Sequence, residues 1–263
     1  MPAQLDRITI YPIKSLDGVT LSESAVLPCG ALEYDRRFAL LDADGRFING
    51  KRTPAVHTIR AEFDLATMTV RLRNCDDINS SSEFSLIEQQ SQLSNWFSTA
   101  FNITCVFAQN ETTGFPDDTD SPGPTLVSTA TLQQVTGWFP DITLDEARRR
   151  FRANLEIGGV EPFWEDRLVG PANTEVPFQI GDVHFLGINA CQRCAVPARA
   201  SDTGQPTPLF QKALAAKRQE SLPPWAARDR FDHFYRLAVN TRQAAGQSAG
   251  RLRVGDTVSI DAG

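Results

Sequence analysis

The sequence predicts a mainly β protein with a few helices, divided into two β-rich units. Three observations lead there. Short apolar runs with turn residues between them recur at the spacing of sandwiches and barrels. Segments with helical periodicity are few, and a polar stretch rich in Thr, Asp, Pro and Gly interrupts the chain over residues 110–124. At 263 residues the chain is long for one average domain, so the expected division is one β-barrel unit over residues 1–110 and another over 120–263.

The elements follow in order. Candidate strands cover residues 5–10, 37–42, 56–63 and 68–73, with Asp42-Ala43-Asp44-Gly45 supplying a tight turn. Leu93, Trp96, Phe97 and Ala100 form one apolar stripe at helical spacing within residues 88–100, and Leu132, Val135 and Trp138 do the same in 131–139. Thr143 with Glu146 has the spacing of a capping box ahead of Ala147. A strand is expected over residues 183–188. Thr207 and Pro208 read as the N-cap and first residue of a helix running to Arg218. Ile180-Gly181-Asp182-Val183 and Val254-Gly255-Asp256-Thr257 share an aliphatic-Gly-Asp core and read as tight turns between strands.

Composition narrows the function. A net charge of −6 argues against broad binding to nucleic acid or anionic membranes, so any bound anion must be gripped by a local cluster of Lys and Arg. The N-terminus lacks the apolar run of a signal peptide, and no stretch approaches the length of a membrane span. Five cysteines, three of them widely scattered, read better as thiols in a reducing cytoplasm than as a disulfide framework.

Cys191-Gln192-Arg193-Cys194 carries the strongest chemistry and admits several readings. A thioredoxin-like pair needs a helix after the first Cys, yet Pro197 and a turn-like Ser201-Asp202-Thr203-Gly204 follow. Structural zinc needs a second ligand pair, and an iron–sulfur cluster needs four neighbouring cysteines. Two buried thiols packing as small apolar groups is the plain alternative. A single metal-bound thiolate needs one Cys at an exposed strand end beside a cation, which Arg193 offers to Cys194. Arg148-Arg149-Arg150-Phe151-Arg152 reads either as a solvated helix end or as an anion clamp, with Arg152 and Asn154 on one side of a following strand. Lys14 and Ser15 could end the first strand as a solvated turn or offer an ammonium and a hydroxyl to a phosphate.

Taken together, Tyr11-Pro12-Ile13-Lys14-Ser15, Asp35-Arg36-Arg37-Phe38, Arg150-Phe151-Arg152-Ala153-Asn154, Cys191-Gln192-Arg193-Cys194 with Asp202-Thr203-Gly204, and Val254-Gly255-Asp256 resemble one family. It comprises proteins with an N-terminal MOSC β-barrel domain followed by a MOSC domain, including the mitochondrial amidoxime-reducing component and bacterial YPxKS-type proteins. The resemblance runs in order over nearly the whole chain. It implies a molybdenum cofactor (a molybdopterin dithiolene bearing a phosphate) between the two barrels. Cys194 would be the molybdenum ligand and catalytic centre, and Lys14, Ser15, Arg36, Arg152, Asn154, Gln192 and Arg193 cofactor contacts. Asp120, Ser121 and Tyr235 align more loosely with further contacts. The implied activity is reduction of small N-oxygenated substrates by oxygen-atom transfer, and pyridoxal phosphate is a further phosphate ligand compatible with the resemblance. No cluster of cysteines like that of a fused ferredoxin domain occurs, so electrons would come from a separate donor, ferredoxin-like or a flavoprotein reductase. Two other roles fit the same residues: a sulfur carrier with a persulfide on Cys194, and a non-catalytic cofactor carrier. Ala200 stands where relatives often carry an acid, while Asp202 is retained.

Overall fold

A computed structural model describes residues 2–76, 81–246 and 250–260. The chain opens with β1 (Gln4–Ile10), β2 (Val19–Leu21), β3 (Glu23–Val26) and β4 (Phe38–Leu41). β5 (Ile59–Asp64), β6 (Thr69–Asn74) and β7 (Ser81–Ser85) form an antiparallel meander, followed by α1 (Gln90–Phe101) and β8 (Val106–Gln109), which pairs with β4. The second half holds β9 (Leu126–Ser128), α2 (Thr129–Trp138), α3 (Leu144–Phe151) and β10 (Leu155–Gly158). Then come β11 (Val176–Ile180), β12 (Val183–Gln192), α4 (Phe210–Glu220), β13 (Arg236–Gln243), β14 (Gly250–Arg253) and β15 (Val258–Ile260). The architecture is mainly β, as expected.

The principal sheet has eight strands in the order β15-β11-β12-β13-β9-β10-β1-β2. β1 pairs antiparallel with β10, and β3 with β14, so strands from the first 26 residues are woven into strands from the second half of the chain. That pairing sets the site: residues leaving β1 emerge beside those entering β10. The apolar residues among those described form three clusters, one under the large sheet around Leu5, Ile8, Phe178 and Phe185. A second lies between the meander and α1, built on Phe38, Leu72, Leu93 and Phe97, and a third joins α2, α3 and α4 through Val135, Phe151 and Phe210.

Three local expectations need correction. Residues 54–58 form a 3-10 turn before β5 rather than part of the strand, because Pro54 fixes φ at its first position and Val56 and His57 turn inward. The last helix begins at Phe210 with Leu209 as a left-handed cap, since Thr207 is engaged elsewhere: its hydroxyl accepts from Arg150 Nη1 at 2.9 Å. Neither Arg152 nor Asn154 is in a strand: Arg152 caps the C-terminus of α3 at φ 53°, and Asn154 precedes β10. The strand expected over residues 183–188 runs on to Gln192, which carries Cys191 to its end. No described helix is long and apolar enough to cross a membrane.

Candidate functional site

Backbone pairing brings the distant segments together. Where β1 ends, Thr9 N donates to Asn154 O at 2.7 Å, and the Asn154 amide Nδ2 returns a bond to Thr9 O at 3.0 Å. Asn154 is 2 % exposed, and its Oδ1 accepts from Thr125 N and Oγ1, each at 3.2 Å, and from Arg36 Nη1 at 3.4 Å. The residue is a knot that ties β1, the entry to β9 and Arg36. Next along the chain, Tyr11 N donates to Asp35 Oδ1 at 2.8 Å and Arg36 N to Tyr11 O at 2.8 Å, so the Tyr11–Ser15 and Asp35–Phe38 motifs share one frame.

These segments line a cleft of about 1120 Å³. Among the described residues, thirteen Lys and Arg against six Asp and Glu border it, in a chain whose net charge is −6, so the positive potential is concentrated here. Most of these cations are neutralised locally. Arg148 is bidentate on Glu156, Arg149 and Arg150 both reach Glu146, and Arg36 pairs with Asp35. Lys14, 6 % exposed, donates to Asp117 Oδ1 at 2.6 Å and Phe115 O at 2.9 Å. Burial lowers the Lys14 proton affinity and Asp117 supports it. Against desolvation, Lys14 and then Arg36 draw the Asp117 carboxyl down to about 2, which keeps it ionised beside the ammonium.

Arg152 differs from the rest of its run. Its guanidinium stacks 4.0 Å from the Tyr11 ring centroid, with Arg36 on the same ring at 5.2 Å, and among described residues it makes no hydrogen bond or ion pair. The Arg run therefore divides: three members brace α3, and the fourth presents an uncompensated charge to the cleft. Ser15, Arg36 and Arg152 also hold left-handed backbone at φ 75°, 51° and 53°. Each conformation costs a non-glycine residue about 1 kcal/mol or more, a cost that persists where the fold over-determines a functional geometry.

The two cysteines have separate environments. Cys191 is 4 % exposed, donates from Sγ to Asn240 Oδ1 at 2.6 Å, and is pushed up to about 11 by burial, so it stays a thiol. Cys194 lies two residues beyond β12, half-buried, on the cleft wall. Its carbonyl accepts from Tyr235 Oη at 3.1 Å, and Arg193 N donates to Tyr235 O at 3.1 Å, so the tyrosine fixes the loop from both sides. Burial pushes the Tyr235 hydroxyl up to about 12, which holds it as a donor. The Arg193 guanidinium does not turn to Cys194. It bonds Phe151 O at the C-terminal end of α3, where a cation complements the helix dipole.

Of the residues singled out from sequence, Lys14, Ser15, Arg36, Ser121, Arg152, Asn154, Gln192, Arg193 and Cys194 all border the cleft. Asp120 is exposed and outside it, whereas Asp118 borders it and accepts from the Asp120 and Ser121 amides at 3.0 and 3.1 Å. Tyr235 stands behind the wall and acts through the Cys194 carbonyl. Sequence reasoning missed Asp117, Asp118, His57, Arg60 and Arg199, which also border the cleft. Only the aspartates left a signal, as a pair within the polar stretch. No group of three His, Cys, Asp or Glu among the described residues could hold a metal alone, so a metal at Cys194 must draw other ligands from a cofactor or solvent.

Comparison with known proteins identifies the family. Residues 2–105 match the model of the MOSC N-terminal beta barrel domain, and residues 117–259 that of the MOSC domain. Molybdenum cofactor sulfurases of Arabidopsis thaliana and Oryza sativa subsp. japonica are each 25% identical over 246 residues, covering 76% of this chain. The match spans only 29% of the length of those relatives. The YUAD protein from Bacillus subtilis aligns over 98% of this chain and 94% of its own, at 10% identity and a TM-score of 0.39. With both family models in order and the second alone spanning more than half of the residues, the chain belongs to the MOSC domain family.

Proposed function

We propose that this protein binds a molybdenum cofactor in the cleft and uses it to reduce small N-oxygenated substrates, with Cys194 as the protein's ligand to the metal. The observation that carries the reading is the contrast within one motif: Cys191 is sealed as a hydrogen-bonded thiol, while Cys194 opens onto a cleft lined by excess cations. The donor set fits the group. A soft thiolate suits molybdenum, and Lys14 with the unpaired Arg152 suits a phosphate. Arg36 would hold the pterin end from the first half of the chain and Asn154 from the second, while the Tyr235 hydroxyl fixes the backbone that presents Cys194. When bound, the cofactor supplies two-electron oxygen-atom transfer, which the side chains alone cannot perform. Electrons would arrive from a separate ferredoxin-like or flavoprotein donor.

The test is production in a host that makes the cofactor, followed by elemental analysis and turnover of an N-hydroxylated amidine with a reduced artificial donor. About one molybdenum per chain and turnover abolished by Cys194→Ser are expected. Full turnover by that variant would sink the assignment. Molybdenum without turnover would instead identify a cofactor carrier. A second reading draws support from the relatives' name, cofactor sulfurase: Cys194 would carry a persulfide. A labile sulfur adduct on Cys194 by mass spectrometry, with no molybdenum, would select it.

A further inference from the structure

The cleft holds more positive charge than a single clamp on the cofactor uses. Eight of its thirteen cations meet a carboxylate within 4.0 Å. Arg193 and Arg230 are engaged by backbone carbonyls. Lys51, Arg152 and Arg199 remain without a carboxylate partner among the described residues. Arg152 belongs to the clamp described above, so Arg199 calls for its own explanation.

Arg199 stands on a wall built from both halves of the chain. Its Nη1 donates to Gly204 O at 2.9 Å, and its buried Nε has no partner. Gly204, at φ 69°, lies so close over His57 that an added Cβ would sit 3.1 Å from the imidazole Cδ2. Arg60 locks the same wall, donating from Nη2 to His57 O at 2.6 Å and Ser201 O at 3.0 Å while Nη1 pairs with Asp17 at 3.2 Å. Glu146, the other nearby acid, is taken by Arg150 and by Ser201 N at 2.9 Å. Ala200, next to Arg199, adds no charge. Burial, then Arg199, Arg152 and Arg60, lower the proton affinity of His57, while Gly50 O accepts from its ring at 3.4 Å.

We infer that Arg199, on the cleft wall it shares with His57, seats an oxyanion group of the substrate, a carboxylate or a phosphate. This rests on the reductase reading for the substrate's other end, but not for anion binding itself. A guanidinium held by one carbonyl and bordering a concave cleft retains donors for a second, charged acceptor. The protein then discriminates in favour of N-oxygenated compounds that carry an acid.

Two assays test it. With cofactor-loaded protein, 4-carboxybenzamidoxime should show a KM about tenfold below that of benzamidoxime, the size of one charge-assisted contact. Arg199→Gln should collapse that ratio toward one, and Arg199→Lys should restore part of it. Calorimetric titration of the same protein with benzoate and with phenyl phosphate reads binding without turnover. Wild type should bind at least one of them about tenfold more tightly than Arg199→Gln does. Absence of turnover would count against the reductase reading and leave calorimetry to decide this one. Equal anion affinity in wild type and Arg199→Gln overturns the inference. So does a variant that loses cofactor rather than anion affinity, which would place Arg199 in the cofactor's own seat.

Discussion

Arg152 joins two roles that substitution can separate. It caps α3 in left-handed backbone, and its guanidinium faces the cleft with no anionic partner. Arg152→Ala removes the charge but keeps the backbone cost, whereas Arg152→Gly removes both. Both lose the stack on Tyr11, about 0.5–1 kcal/mol, so that contribution cancels in the comparison. Glycine should then be more stable than alanine by about 1 kcal/mol, or about 2–4 °C in Tm for a chain of this size. Both variants should lose about 1.5–3 kcal/mol of anion affinity, about 10–150-fold in Kd. Differential scanning calorimetry reads the first effect, and titration with phosphate or with the isolated pterin cofactor the second. Wild-type affinity in both variants would refute the clamp, and equal Tm values would refute the backbone argument.

Further outcomes follow from other buried groups. Glu165 is 1 % exposed and raised from 4.5 to about 7 by burial and then by the Asp166 charge. Its folded pKa lies above its unfolded one, so the folded state binds the extra proton and stability falls as pH rises through that window, by about 3 kcal/mol in all. Glu165→Gln should flatten this slope in urea titrations, gaining on wild type at pH 8 and not at pH 4; parallel pH profiles would contradict it. Iodoacetamide at pH 8 should modify Cys194 and spare Cys191, as mapped by peptide mass spectrometry. Preferential labelling of Cys191 would reverse the assignment of the pair.

Much of the site was legible as motifs, but little of its electrostatics. Thr143 caps α3 as its spacing predicted, its Oγ accepting from Glu146 N at 3.2 Å. The turns at Gly181 and Gly255 also stand between strands, both with positive φ. The Glu146 side chain, however, turns to Arg150 one turn along the helix and to the distant Ser201 instead of back to the cap. Which arginine of the run is left unpaired depends on Glu156 and Glu146 meeting its neighbours in three dimensions, and no spacing encodes that. The joining of Tyr11, Arg36 and Asn154 depends on β1 pairing with β10 across some 150 residues, a contact that single-chain periodicity cannot register.

The division of labour between Cys191 and Cys194 is best measured by X-ray absorption at the molybdenum edge of cofactor-loaded protein. Cys194→Ser should lose one sulfur from the metal's coordination shell, while Cys191→Ser should leave the shell as in wild type. Loss of that sulfur in Cys191→Ser, or an unchanged shell in Cys194→Ser, would contradict the account.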